Sequence, residues 1–345
     1  MQLQLRNDVF FSPSAEGVSF SGFGRDGQLD RFTLKGKMLY PIMEQLYPRL
    51  NGQHETQAII NALPLLQRKL GGQMLDILSN RGFIYERPVP THSLSLVELE
   101  LYASELNFIG CYSTDPAARF EKFRRAHVLL VGGGWTAVFT AQGLWENGLG
   151  HLDWQPLNAD ATIDTAIASH FETAQAYDAD LVFNVLPMLS QATPDWAAYD
   201  LVLFATDVFE ESYWLELERS CRASGRPTYP AVFGNGQGRL GPLMLPEYAG
   251  CWHCGSAGSD FVADPSFTPN QTDPSFSPIA AALLGNTLAY RVFRFFSLFG
   301  GTESRSMFWF ETTSLEQHEK LAVWRPTCEF CRPGLGLSAE EETHE

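Results

Sequence analysis

Two Cys-x-x-Cys pairs, Cys251/Cys254 and Cys328/Cys331, flank residues 255–327 and restrict the folding of this chain more than any other feature. Each pair presents two sulfurs from one turn. Two such turns complete the closed tetrahedral shell of a structural zinc, with no position left open for chemistry. Such a clasp pins the C-terminal part of the chain to its middle. The alternatives are two disulfides, or one redox pair beside an unrelated pair. The start Met1-Gln-Leu-Gln-Leu-Arg6 lacks a basic segment followed by an apolar run, which points to a cytoplasmic, reducing setting and so to zinc.

The chain has 345 residues, enough for two domains with cores of their own. Its 40 acidic residues against 24 basic ones leave a net charge of −16, which repels nucleic acid and anionic membrane. The most apolar helical stretch, Pro278 to Phe299, contains Asn286, Arg291 and Arg294, so it reads as a buried helix and not a membrane span.

Prolines and weak periodicity around residues 88–96 mark a linker between a domain at 1–87 and a larger one at 97–335, with an acidic tail at 336–345. In the first domain, Leu3–Phe11, Val18–Phe20 and Gln28–Thr33 read as strands. Leu34–Tyr47, Glu55–Leu63 and Leu65–Asn80 read as helices, and Phe83–Tyr85 as a closing wing. Leu66, Leu70, Met74, Ile77 and Leu78 form one apolar stripe. Strands, three helices and a wing describe a winged helix-turn-helix. A DNA reader should show a basic face, and here the last helix offers only Arg68, Lys69 and Arg81. The other use of such a module is capture of an extended peptide. The layout resembles the PqqD-like leader-recognition element of peptide-modifying systems. That resemblance implies a peptide added beside Gln28, Leu29, Asp30, Arg31 and Phe32, with side chains in a groove near Leu70, Met74 and Ile77.

The second domain opens with an apolar strand, Val128–Val131, and the turn Gly132-Gly133-Gly134 into a helix, the arrangement that sets a nucleotide phosphate at a helix N-terminus. A later strand ends Ala205-Thr206-Asp207. A glycine-rich strand, the first Cys-x-x-Cys, an apolar helix and the second Cys-x-x-Cys follow. This order resembles the ThiF/MoeB family, the fold of ubiquitin-activating enzymes. The resemblance implies an α/β doubly wound sheet, a zinc held by Cys251, Cys254, Cys328 and Cys331, and a homodimer.

Members that activate substrates with ATP carry acidic residues for the ribose and for magnesium. The matching positions here are Pro156 and Asn158, and the family's Asn-x-x-Arg-Gln segment is missing. No lysine or arginine occurs between Arg125 and Arg219, where a triphosphate would need cations. Gly132, Gly134 and Asp207 therefore read as remnants of a nucleotide site. Cys221, between Arg219 and Arg222, reads as a half-buried structural thiol.

A peptide-capturing winged helix before a ThiF-like domain resembles the "ocin-ThiF-like" subunit of thiazole/oxazole-modified peptide synthetases. The resemblance implies a non-catalytic subunit that presents a precursor peptide to a separate YcaO cyclodehydratase, with ATP used by that partner alone. One alternative is an ATP-dependent adenylyltransferase acting on a peptide or sulfur-carrier C-terminus. A winged-helix DNA-binding regulator is the second.

Overall fold

The computed structural model describes residues 2–6, 8–23, 29–86, 92–207, 211–234, 236–245, 251–252, 254, 277–299, 306–311, 314, 316–322 and 328. Gln28, His253, Cys331 and the 336–345 tail lie outside them. Residues 1–122 form one compact unit and residues 123–345 a second.

The first unit contains two small antiparallel sheets. One has the order β5-β1-β6, from β1 (Gln2–Leu5), β5 (Asn51–Glu55) and β6 (Ile84–Glu86); the other is β2-β3-β4, from β2 (Phe10–Ser14), β3 (Gly17–Phe23) and β4 (Leu29–Lys35). Helices α1 (Leu39–Leu46), α2 (Thr56–Asn61) and α3 (Arg68–Asn80) pack with them. Val18, Phe20, Ile42, Met43, Leu46, Ile59, Met74, Leu78 and Phe83 form the centre of the core.

Several boundaries differ from the sequence reading. The single strand expected over Leu3–Phe11 is two, β1 and β2. Between them Arg6 folds back onto Asp8 at 2.7 Å and bonds the Gly82 and Cys111 carbonyls. The first helix starts at Leu39, because residues up to Lys35 continue β4. Strand β5, Asn-Gly-Gln-His-Glu, has no alternation of its own and exists by pairing with β1. The helices α4 (Leu96–Leu101), α5 (Ala103–Gly110) and α6 (Pro116–Arg124) follow. Ser95 opens α4 with a capping box closed by Glu98.

The second unit is an eight-stranded sheet in the order β14-β13-β12-β11-β10-β7-β8-β9. β7 (His127–Gly133), β8 (His151–Pro156), β9 (Val182–Val185), β10 (Leu201–Thr206) and β11 (Thr228–Gly234) are parallel. β12 (Gln237–Leu240), β13 (Ser306–Glu311) and β14 (Gln317–Leu321) extend them antiparallel. Helices α7 (Trp135–Glu146), α8 (Ala161–Tyr177), α9 (Glu211–Ala223) and α10 (Pro278–Arg294) accompany the sheet. The expected large α/β sheet is therefore present. Strand order reverses between β7 and β10, the switch point where open α/β sheets hold ligands beyond the strand ends. Pro278–Arg294 is a packed helix, with Leu284, Leu288, Val292 and Phe293 buried. Among the described residues no helix is long and apolar enough to cross a membrane.

Candidate functional site

At the switch point, in-register pairing sets Gly132 beside Ala205 and Gly133 beside Thr206. A Cβ on Gly132 would stand 1.8 Å from the Ala205 carbonyl oxygen, and one on Gly133 would stand 2.9 Å from Asn158 Oδ1. Gly134 has φ +79°, and a Cβ there would meet Asp207 Oδ2 at 2.2 Å. The close approach of β10 and Asp207 therefore requires Gly132 and Gly134 before any ligand is considered, whereas Gly133 faces only the movable end of Asn158.

Asp207 occupies the N-terminus of α7. Its carboxylate accepts from the Trp135 amide, from the Thr136 amide at 3.0 Å and from the Thr136 hydroxyl. A helix N-terminus is where orphan amides and the dipole favour an anion, and the protein's own carboxylate fills that role. Burial pushes the Asp207 carboxyl up to about 6, against the pull of the Thr136 and Trp135 donors.

Pro156 ends β8 with its side chain buried, and Asn158 sits against Gly133, so neither ribose nor magnesium meets an acidic side chain at those positions. The register supplies one cation that linear spacing does not reveal. Thr206 pairs with Val232, and Val232 with Arg239 on β12, so Arg239 lies in the sheet row of Gly133 and Thr206. Burial lowers its guanidinium to about 9.

The sulfurs of Cys251, Cys254 and Cys328 are buried and converge within 4.8 Å of one another, Cys251 and Cys328 at 3.7 Å. Three buried thiols gathered from two distant stretches make the soft donor set that suits zinc. On α9, Glu218 accepts from Arg222 at 3.1 Å and from the Trp252 amide, so it braces the first of these turns. Cys221 is fully buried, and burial followed by the Glu218 charge pushes its thiol up, the opposite of an activated nucleophile.

In the first unit the residues expected to meet a peptide separate. Leu29 and Arg31 are exposed on β4, which pairs only with β3 among the described strands. Phe32 is half-buried, stacked on Phe20 at 5.2 Å between ring centroids and covered by the Arg81 guanidinium at 4.1 Å. Arg81 also pairs with Asp30 at 3.0 Å, tying β4 to the end of α3. Leu70 and Ile77 are exposed on α3, whereas Met74 is 1% exposed and belongs to the core. The apolar stripe thus divides between interior and surface.

No known protein family matches the sequence, and no curated protein does. Solved structures do. E. coli MccB with AMPCPP and selenomethionyl MccA is 13% identical and covers 96% of this chain and 99% of its own, with TM-score 0.65. The microcin C7 biosynthetic enzyme MccB with N-formylated MccA is 14% identical and covers 96% of this chain and 100% of its own, with TM-score 0.66. PaaA is 12% identical and covers 91% and 98%, with TM-score 0.62. At these identities the likeness is one of fold, and it covers both units: a smaller first unit and a second unit with a large α/β sheet like that of MccB.

Proposed function

We propose that this chain binds a ribosomally made precursor peptide and activates it with ATP in the α/β unit, an adenylyltransferase that needs no separate cyclodehydratase. The observation that carries this reading is end-to-end likeness to MccB structures that hold AMPCPP and MccA together. Asp207 beside the Gly132–Gly134 turn supports it as a magnesium-type carboxylate, and half-buried Arg239 in the same sheet row offers positive charge. Leu29, Arg31, Leu70 and Ile77 are the exposed side chains through which the first unit would take the peptide; a winged-helix role for that unit belongs to the same proposal. Cys251, Cys254, Cys328 and Cys331 would hold a structural zinc, and the working form would be a cytoplasmic homodimer.

A second reading is favoured by Pro156, Asn158 and the capping role of Asp207. Here the nucleotide site is closed, and the chain only presents the peptide to a YcaO-type partner. The two readings differ in whether Asp207 leaves the α7 amides when magnesium and ATP arrive. Peptide-dependent exchange of pyrophosphate into ATP by the full-length protein, abolished in Asp207→Ala, is expected on the first reading. Exchange no faster than in that variant, by protein shown to bind the peptide, would transfer the assignment to the second.

A further inference from the structure

At the end of the sheet opposite the glycine turn, the first residues of β7 and β8 form a second cluster. His127 and His151 are register partners, and Asp153 lies two residues beyond His151 on the same face of β8. Two positions on one strand and the position directly across from one of them give three side chains a common point above the sheet. His127 Nε2 lies 3.1 Å from Asp153 Oδ2, and His151 Nε2 lies 3.4 Å from Asp153 Oδ1. The three ligand atoms are all within 4.8 Å of one another. Bonds of about 2.0–2.2 Å to a tetrahedral cation set neighbouring ligand atoms about 3.3–3.6 Å apart; the His151–Asp153 spacing falls in that range, and the 3.1 Å between His127 and Asp153, a hydrogen bond without an ion, must open slightly to admit one.

The carboxylate is held from outside the trio. Tyr199 donates to Asp153 Oδ2 at 3.0 Å, and Asn184 Nδ2 donates to Oδ1 at 2.8 Å. The Asp153 side chain is 8% exposed, and those of His127 and His151 are 26% and 35% exposed. A buried, oriented carboxylate under two reachable imidazoles has the inner and outer shells of a metal site with one side open to water. The rings stack face to face at 3.7 Å, so both lone pairs reach one ion only when the rings turn apart.

We propose that His127, His151 and Asp153 bind a divalent transition cation of the zinc class, at a site separate from the cysteine cluster and open at its fourth position. Two imidazoles and one carboxylate suit zinc and its neighbours better than magnesium or calcium. Coordination would pin β7 to β8 at their entry.

The test is cobalt(II) titration of the full-length protein carrying one equivalent of zinc per chain, which the thiolates take first, followed by visible spectroscopy and equilibrium dialysis. One further equivalent per chain is expected, with d–d bands and no thiolate charge-transfer band. His151→Ala and Asp153→Asn should lose it, and Tyr199→Phe, which keeps all three ligands, should weaken it about 10-fold. Circular dichroism checks that each variant is folded. No further equivalent, or an equivalent that persists in folded His151→Ala, would leave only a hydrogen-bonded cluster and overturn the proposal.

Discussion

Asp207 at the end of β10 accepts a hydrogen bond from the Thr136 amide at 3.0 Å, so the strand on one side of the switch point caps the helix on the other. The contact satisfies the first amides of α7 and joins β10 to α7 without any ligand.

The buried position of Asp207 predicts a pH dependence. Its folded value of about 6 lies above the 3.8 of the unfolded chain, so the native state retains a proton that the unfolded chain has released. This group therefore adds stability as pH falls from about 6 towards 4, and that contribution is lost as pH rises through 6. The span is worth about 3 kcal/mol at most. Urea midpoints at pH 5 and pH 7 should differ between wild type and Asp207→Asn, with wild type gaining relative to the variant on acidification. Parallel shifts in the two proteins would show that Asp207 does not titrate in this window.

Gly132→Ala should be severely destabilising, by about 3 kcal/mol or more, because its methyl group would stand 1.8 Å from the Ala205 carbonyl oxygen on a neighbouring strand. Gly72→Ala is the contrast. On α3 its Cβ would meet only Ile60 Cδ1 of α2, at 3.7 Å, and alanine should raise stability by about 0.5–1 kcal/mol. Chemical denaturation measures both.

The cysteine cluster predicts about one zinc per chain by elemental analysis of folded, unchelated protein. Cys251→Ser should lose the metal and several kcal/mol of stability, since the binding of a structural zinc is coupled to folding. Less than about 0.2 zinc per chain would remove the metal from this site.

In the first unit, Leu70→Asp and Ile77→Asp should leave the full-length protein folded while weakening peptide binding about 10-fold or more, because both side chains are exposed. Met74→Ala should instead cost about 2–5 kcal/mol of stability through a core cavity. Calorimetric titration with a candidate leader peptide, beside a thermal melt, separates the two effects. Equal affinity in all three variants would move the peptide away from α3.

The parts of this chain readable in one dimension are those where composition and spacing carry the physics. Val128–Val131 is apolar throughout because β7 is covered on both faces, and the turn after it must be glycine because β10 presses against it. The cysteine spacing likewise announced a convergence of thiols, seen for Cys251, Cys254 and Cys328. Pairing between distant segments decided the rest. β5 has no strand pattern and forms because β1 lies beside it. Met74 and Ile77 share one apolar stripe, yet only the packing of α3 sends the first inward and leaves the second outside. Arg239 joins the row of Thr206 through two strand registers, and His127 meets Asp153 across one. Register is set by the burial of whole strand faces, a sum over many residues, so no local pattern around either side chain could announce its partner.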